Sequence, residues 1–327
     1  MTKEVIARRN FSRTGFSLVL IAAVTVLSQL ILELLCTWGN ERGMTFMAAE
    51  WMEWVITFVP LYLLGMPAGI LLMRGIPRDG AEKSGLGVGN FFLMLLMCFP
   101  LMYFGNLLGT GLSLLLSEGN AENVLLNYAY DSGLLKTLIM VVLAPLLEEF
   151  VFRRQLIDRL ARYGEKNAVV FSALCFGLFH MNLYQFFYAF ALGIIFAYIY
   201  VRTRRLRYSV LMHMIINFLG AVIAPLLLSN LNLDALTALD MEIIMSLDTE
   251  AVRAMIGPIV LFVAYYLFYM ACTVAGVVLL ITKFREVWFV SMPCELASER
   301  RFSVVYGNAG MVVFVLLSLL MISISLY

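Results

Sequence analysis

Long apolar runs recur along the chain, separated by short polar stretches in which Lys and Arg concentrate. A helix needs about 20 consecutive apolar residues to cross the roughly 30 Å hydrocarbon layer of a bilayer. That layer offers no water to backbone N–H and C=O groups, so a segment that crosses it must satisfy them within a helix. The pattern predicts spans over approximately 14–36, 51–73, 89–116, 133–160, 168–182, 184–201, 208–230, 257–282 and 309–327. The predicted fold class is all-α, a polytopic transmembrane helical bundle of about nine spans.

Charge orients these spans. Lys3, Arg8, Arg9 and Arg13 precede the first run, and no small-residue cleavage site clearly follows it, which predicts an uncleaved helix with a cytoplasmic N-terminus. If each span alternates sides, the basic stretches 74–88, 153–166, 202–207 and 283–301 fall on that same side. Of the 23 Lys and Arg residues only Arg42, Lys136 and Arg253 are left for the other. The segment 231–256, with Asp234, Asp240, Glu242, Asp248 and Glu250, and the segment 117–132, free of Lys and Arg, are expected outside with the C-terminus. The expected location is the bacterial plasma membrane.

Composition agrees: 62% hydrophobic against 14% charged residues leaves too little polar surface for a water-soluble domain of 327 residues. A net charge of +1, without a basic patch interleaved with aromatics, predicts membrane lipid as a partner and no nucleic acid. Cys36, Cys98, Cys175, Cys272 and Cys294 are far apart, include no C-x-x-C pair and read as small buried hydrophobes. No linker or repeat divides the chain. Residues 1–132 supply helices 1–3, 133–230 a core of helices 4–7, 231–256 an acidic extracytoplasmic loop, and 257–327 helices 8–9. The oligomeric state is not encoded in any of these patterns.

The core differs from its flanks in holding ionisable residues inside apolar helices. A charge at the bilayer centre costs about 2.5–3.5 kcal/mol on insertion scales, so such residues need partners or a polar cavity. The fourth span carries Glu148-Glu149-Phe150-Val151-Phe152-Arg153. Glu149 and Arg153 stand at i,i+4 with the acid first, the favourable orientation for an ion pair, while Glu148 is turned about 100° onto another face. Both histidines of the chain lie in this core, His180 after Phe176-Gly177-Leu178-Phe179 and His213 before Met214-Ile215-Ile216-Asn217. His213 and Asn217 share a helix face, and Phe176 sits one turn from His180. Glu148 to take a proton from water, an imidazole to orient that water, and further donors for an oxyanion are a sufficient set for peptide hydrolysis. Alternatively Glu148, His180 and His213 would ligate a divalent metal such as zinc.

The order E-E-x-x-x-R, F-x-x-x-H, H-x-x-x-N on successive apolar helices, with 32 and 33 residues between Glu148, His180 and His213, resembles the CPBP family. That family comprises the CAAX-prenyl-processing and bacteriocin-immunity (Abi) intramembrane endopeptidases. The motifs cover about 148–217, and span packing extends the likeness to 133–230. The resemblance implies a membrane peptide or protein as substrate. It makes Glu148 the general base, with Glu149 and Arg153 in support. It makes His180 the partner in water activation, His213 with Asn217 the oxyanion or metal face, and Phe176 a wall of the substrate cavity. A metal-free mechanism is expected, with zinc as the alternative.

Other membrane protease types fit less well, since the chain has no H-E-x-x-H, no G-x-S-G, and no paired Y-D and G-x-G-D; Tyr130-Asp131 is a loop dipeptide. The rival class is a non-catalytic scaffold or a small transporter built on the same helices. A transporter more often shows its core in both halves, and this chain has one.

Overall fold

The computed structural model describes residues 2–121, 123, 133–231 and 249–326. Most of the acidic loop expected over 231–256, including Asp234, Asp240, Glu242 and Asp248, lies outside the described residues, as do most of 117–132 beyond Ala121 and the Tyr130-Asp131 dipeptide. Among the described residues there is no strand. The long helices are α1 (Lys3–Glu41), α2 (Trp51–Met73), α3 (Val88–Leu116), α4 (134–163), α5 (Glu165–Phe179), α6 (Leu183–Thr203), α7 (Leu206–Ser229) and α8 (Thr249–Lys283). Two further helices follow, α9 (Ser298–Val305) and α10 (Ala309–Ile324). The chain is an integral membrane protein.

Prolines shape the helices that build the site. A proline inside a helix has no N–H to donate, and its ring collides with the carbonyl four residues back. Here the chain widens into a π-helical turn ahead of the proline instead of breaking. The wide turns Pro60–Gly65, Leu138–Leu143 and Leu219–Ile223 end two residues before Pro67, Pro145 and Pro225 respectively. A fourth, Phe150–Ile157, has no proline and carries Arg153. Helix α4 therefore runs unbroken through both acids and the arginine to Tyr163.

Small residues set the close packing. An added Cβ on Gly65 or Gly69 would meet the Ile21 or Ser17 carbonyl at 2.8 Å, so α2 crosses α1 backbone to backbone. Gly105 and Gly109 do the same for α3 against residues 183–188 of α6. These small-x-x-x-small pairs compensate for the weak hydrophobic drive between helices in lipid.

The basic stretches gather at one end of the bundle. Arg78 bonds the Gln155 side chain, Arg162 pairs with Asp79, and Arg202 pairs with Glu165. The Ser84 N–H donates to the Thr203 carbonyl at 3.0 Å, the Leu296 N–H to Tyr163 at 3.3 Å, and Lys3 Nζ to the Glu295 carbonyl at 3.1 Å. All five basic segments of the sequence thus share this basic end. Helix α10 also starts there, with the Gly310 N–H on Ser12 Oγ at 3.0 Å.

Among the described residues, six helices are long and apolar enough to cross a membrane, namely α1, α2, α3, α6, α7 and residues 256–286 around α8. The bent pair α9–α10, angled by 60°, makes a seventh if counted as one span. The expected count of about nine exceeds this because α4 carries too many charges and α5 is short. With 15 residues, α5 extends only about 22 Å. It stops at Phe179 rather than at residue 182, and His180 caps it instead of lying within it. Cys98, Cys175 and Cys272 are buried as expected, whereas Cys36, on a lipid-exposed stretch of α1, and Cys294, in the 287–297 segment, are only half-buried.

Candidate active site

The site forms where α4, α5 and α7 meet, with α2 and α6 closing its sides. Glu149 and Arg153 are both fully buried and joined as the i,i+4 spacing predicts, with Nε on Oε2 at 2.9 Å and Nη2 on Oε1 at 3.1 Å. Arg153 Nη1 donates to Ser172 Oγ at 2.8 Å, and that hydroxyl donates to the Phe152 carbonyl at 2.7 Å. The guanidinium lies over the Phe176 ring, 4.9 Å from its centroid. Each nitrogen of the buried cation thereby has a carboxylate or hydroxyl partner, and its face lies over a π-system.

Helix α7 brings His213 to both acids. Its Nδ1 lies 3.4 Å from Glu149 Oε1, and its Nε2 lies 3.9 Å from Glu148 Oε2. The first contact is angled short of a hydrogen bond and the second is too long for one. The imidazole is held by rings, stacked on Phe196 at 5.3 Å and edge-on to Phe176 at 5.8 Å. Glu148 remains partly open, with 15% side-chain exposure against 0% for Glu149. The two adjacent acids thus occupy the different environments that their separate helix faces imply.

His180 also meets the Phe176 ring edge-on, with centroids 5.0 Å apart. Its Nδ1 is 2.8 Å from the Phe176 carbonyl. A backbone carbonyl only accepts, so Nδ1 carries the proton and Nε2 of the neutral ring is left as an acceptor. The turn is fixed by Asn182, which caps α6 by accepting from the Gln185 N–H at 2.9 Å and donates to the His180 carbonyl at 2.8 Å. Met181 takes a left-handed conformation, φ 54°, to make it.

Asn217 shares the His213 face, but its amide donates to the Met140 carbonyl on α4 at 2.9 Å. In the wide turn there, the Ala144 N–H bonds the Ile139 carbonyl, so the next bond in that register would run from residue 145 to Met140. Pro145 has no N–H, and Asn217 replaces it. The oxyanion role expected for Asn217 meets a different arrangement, in which the residue ties α7 to α4.

Three further residues were not identified from the sequence. Ser172, Phe176 and His180 follow one another at i,i+4 on α5, a readable signal for Ser172. Tyr62, in the wide turn of α2, and Tyr188 of α6 both come within electrostatic reach of Glu148, and nothing local in the sequence points to either.

Among the described residues, no three His, Cys, Asp or Glu side chains converge as a metal-ligand set. Glu148, His180 and His213, the zinc alternative, therefore do not form a converged ligand set among the described residues, although the Nδ1 contact to Phe176 leaves His180 Nε2 free.

Residues 131–219 match the family model described as type II CAAX prenyl endopeptidase Rce1-like. Over 194 residues the chain is 30% identical to a protein of Bacillus subtilis (strain 168) that bears the name "Putative membrane peptidase YdiL", an alignment spanning 55% of this chain and 74% of that protein. No solved structure matches the chain.

Proposed function

The chain belongs to the Rce1-like CAAX prenyl endopeptidase family of CPBP membrane proteases, and on that premise we propose that it hydrolyses a peptide bond of a membrane-associated peptide or protein using water activated by Glu148. The observation that carries this reading is the Glu148–His213 approach at 3.9 Å, backed by the buried Glu149–Arg153 pair. Glu148 is the one acid of the pair left without a cation of its own and partly open.

In this reading Glu148 takes a proton from water as the water oxygen attacks the scissile carbonyl carbon. His180 Nε2 accepts the other hydrogen of that water and orients it. Protonated Glu148 then donates toward His213 Nε2, whose Nδ1 proton faces Glu149. When the C–N bond breaks, Glu148 returns its proton to the departing amine. Glu149, Arg153 and Asn217 are positioning residues, which hold His213 opposite Glu148. The basic end faces the cytoplasm, following the excess of Lys and Arg.

Comparing the membrane-derived peptides of cells that carry the wild type with those of cells that carry Glu148→Gln at equal protein level tests the reading. Cleavage products present only with the wild type are expected. Identical peptide profiles, with the variant correctly inserted, would rule out proteolysis as its contribution.

A further inference from the structure

At the basic end, away from the catalytic candidates, a cavity of about 380 Å³ opens between the segment after α2, the last turns of α4 and the α6–α7 turn. Asp158 in its wall is ten residues beyond Glu148 on the same helix, about 15 Å along the axis. Five basic side chains line the cavity, Lys83, Arg154, Arg204, Arg205 and Arg207, against two acids. Both acids are already engaged, Asp79 through Oδ1 by Arg162, and Asp158 by the Tyr200 hydroxyl at 2.9 Å and Arg204 at 3.5 Å. Lys83, Arg154, Arg205 and Arg207 make no ion pair among the described residues.

Arg204 is the informative residue. It is only 8% exposed, yet its Nε has no hydrogen-bond partner among the described residues, and neither has the buried Nε of Arg205. A buried N–H of a cation left unpaired costs more than a neutral one, so a ligand that accepts from it gains correspondingly. Asp79 Oδ2 in the same wall is a buried acceptor that also lacks a partner among the described residues. Arg204 already pairs through its Nη atoms with Asp158 and Glu165, so the unpartnered Nε donors of Arg204 and Arg205, ringed by cations without ion pairs, match a phosphate diester, and the unpartnered Asp79 oxygen matches a hydroxyl nearby.

We propose that this cavity binds the headgroup of an anionic glycerophospholipid. The phosphate sits on Arg204 and Arg205, Lys83 stands at the mouth, and a headgroup hydroxyl donates to Asp79. The cavity lies at the basic end, where the spans end, and in this proposal it meets the headgroups of the adjacent leaflet. This inference is independent of the proposed proteolysis, since none of these residues belongs to the site around Glu148.

The full chain in detergent, titrated with phosphatidylglycerol or phosphatidylcholine and read by native mass spectrometry, tests it. The wild type is expected to retain phosphatidylglycerol about tenfold more tightly, and Lys83→Gln/Arg205→Gln to lose that preference to within about twofold. Arg205→Lys, which keeps the charge, should retain most of it and controls for damage to the fold. Glycerol 1-phosphate and inorganic phosphate form separate arms. Stabilisation by inorganic phosphate alone, undiminished by added lipid, would identify a soluble anion as the ligand and overturn the lipid assignment. Equal retention of both lipids by the wild type, or the same preference in the folded double variant, would overturn the site altogether.

Discussion

Asn217 on α7 and Met140 on α4 are joined by a 2.9 Å hydrogen bond that exists because Pro145 cannot supply the backbone N–H that this carbonyl would otherwise accept. The polar side chain compensates for a proline one helix away, and in doing so fixes the helix that carries His213 against the helix that carries Glu148.

Asn217→Leu leaves the Met140 carbonyl unpaired in an apolar setting, at a cost of about 1–3 kcal/mol. A lower unfolding temperature and reduced cleavage are expected together. Adding Pro145→Ala restores an N–H at residue 145, so the double variant is expected to recover part of the lost stability. Thermal unfolding of the four proteins forms a double-mutant cycle, and strict additivity of the two changes would exclude the coupling.

The buried cation gives a second prediction. Arg153→Lys keeps the charge but loses the two-pronged grip on Glu149, the reach to Ser172 and the planar face over Phe176. Each hydrogen bond to a charged group lost in this way typically costs about 1.5–3 kcal/mol. The yield of folded Arg153→Lys is expected to fall steeply. Ser172→Ala, which leaves the ion pair intact, is expected to lose only about 1–2 kcal/mol. Expression of Arg153→Lys at wild-type level and stability would show that a point charge suffices and that the two-pronged geometry is dispensable.

Much of this arrangement was legible in the sequence. The Glu149–Arg153 pair follows from i,i+4 spacing, and the separation of Glu148 from it follows from the turn per residue. The gathering of basic stretches at one end follows from alternating spans. What sequence periodicity does not carry is the partner of a group on a distant helix. Asn217 was expected in the cavity because it shares a face with His213, and only the wide turn before Pro145 shows why its amide faces Met140. Tyr62 escaped for the same reason, since an aromatic in an apolar span reads as packing until the acid it approaches is known. The end of α5 was overrun because apolarity continues through Phe179 while Asn182, the cap of the next helix, is what turns the chain.

The donor set predicts the response to chelators. No three ligating side chains converge among the described residues, and in the proposed scheme His180 Nε2 accepts from water. Purified protein is expected to keep its cleavage activity in an excess of EDTA or 1,10-phenanthroline. Loss of activity on chelation with recovery on adding zinc would overturn the water-activation scheme in favour of a metal.

The last prediction separates chemistry from packing at adjacent residues of one helix. Glu148→Gln keeps the volume of the side chain and much of its hydrogen bonding, but an amide cannot take a proton from water at neutral pH. Because Glu148 has no arginine partner and is partly open, the helix should insert and pack as before. Cleavage is expected to fall by about 10²–10⁴-fold, the usual contribution of a general base, with unfolding temperature and yield unchanged. Glu149→Gln changes the same number of atoms one residue on, yet it removes the charge partner of a fully buried arginine, so stability and activity should fall together. His180→Ala is expected to resemble Glu148→Gln, because the ring caps a helix already held by Asn182. His213→Ala should reduce rate and also some stability, since that imidazole packs between Phe176 and Phe196. A rate assay paired with thermal unfolding on the four variants distinguishes the readings. If Glu148→Gln keeps full biological function at normal expression, with no cleavage that wild type shows and the variant lacks, while Glu149→Gln unfolds, the polar cluster is a structural device. The chain would then act as a non-catalytic member of its family.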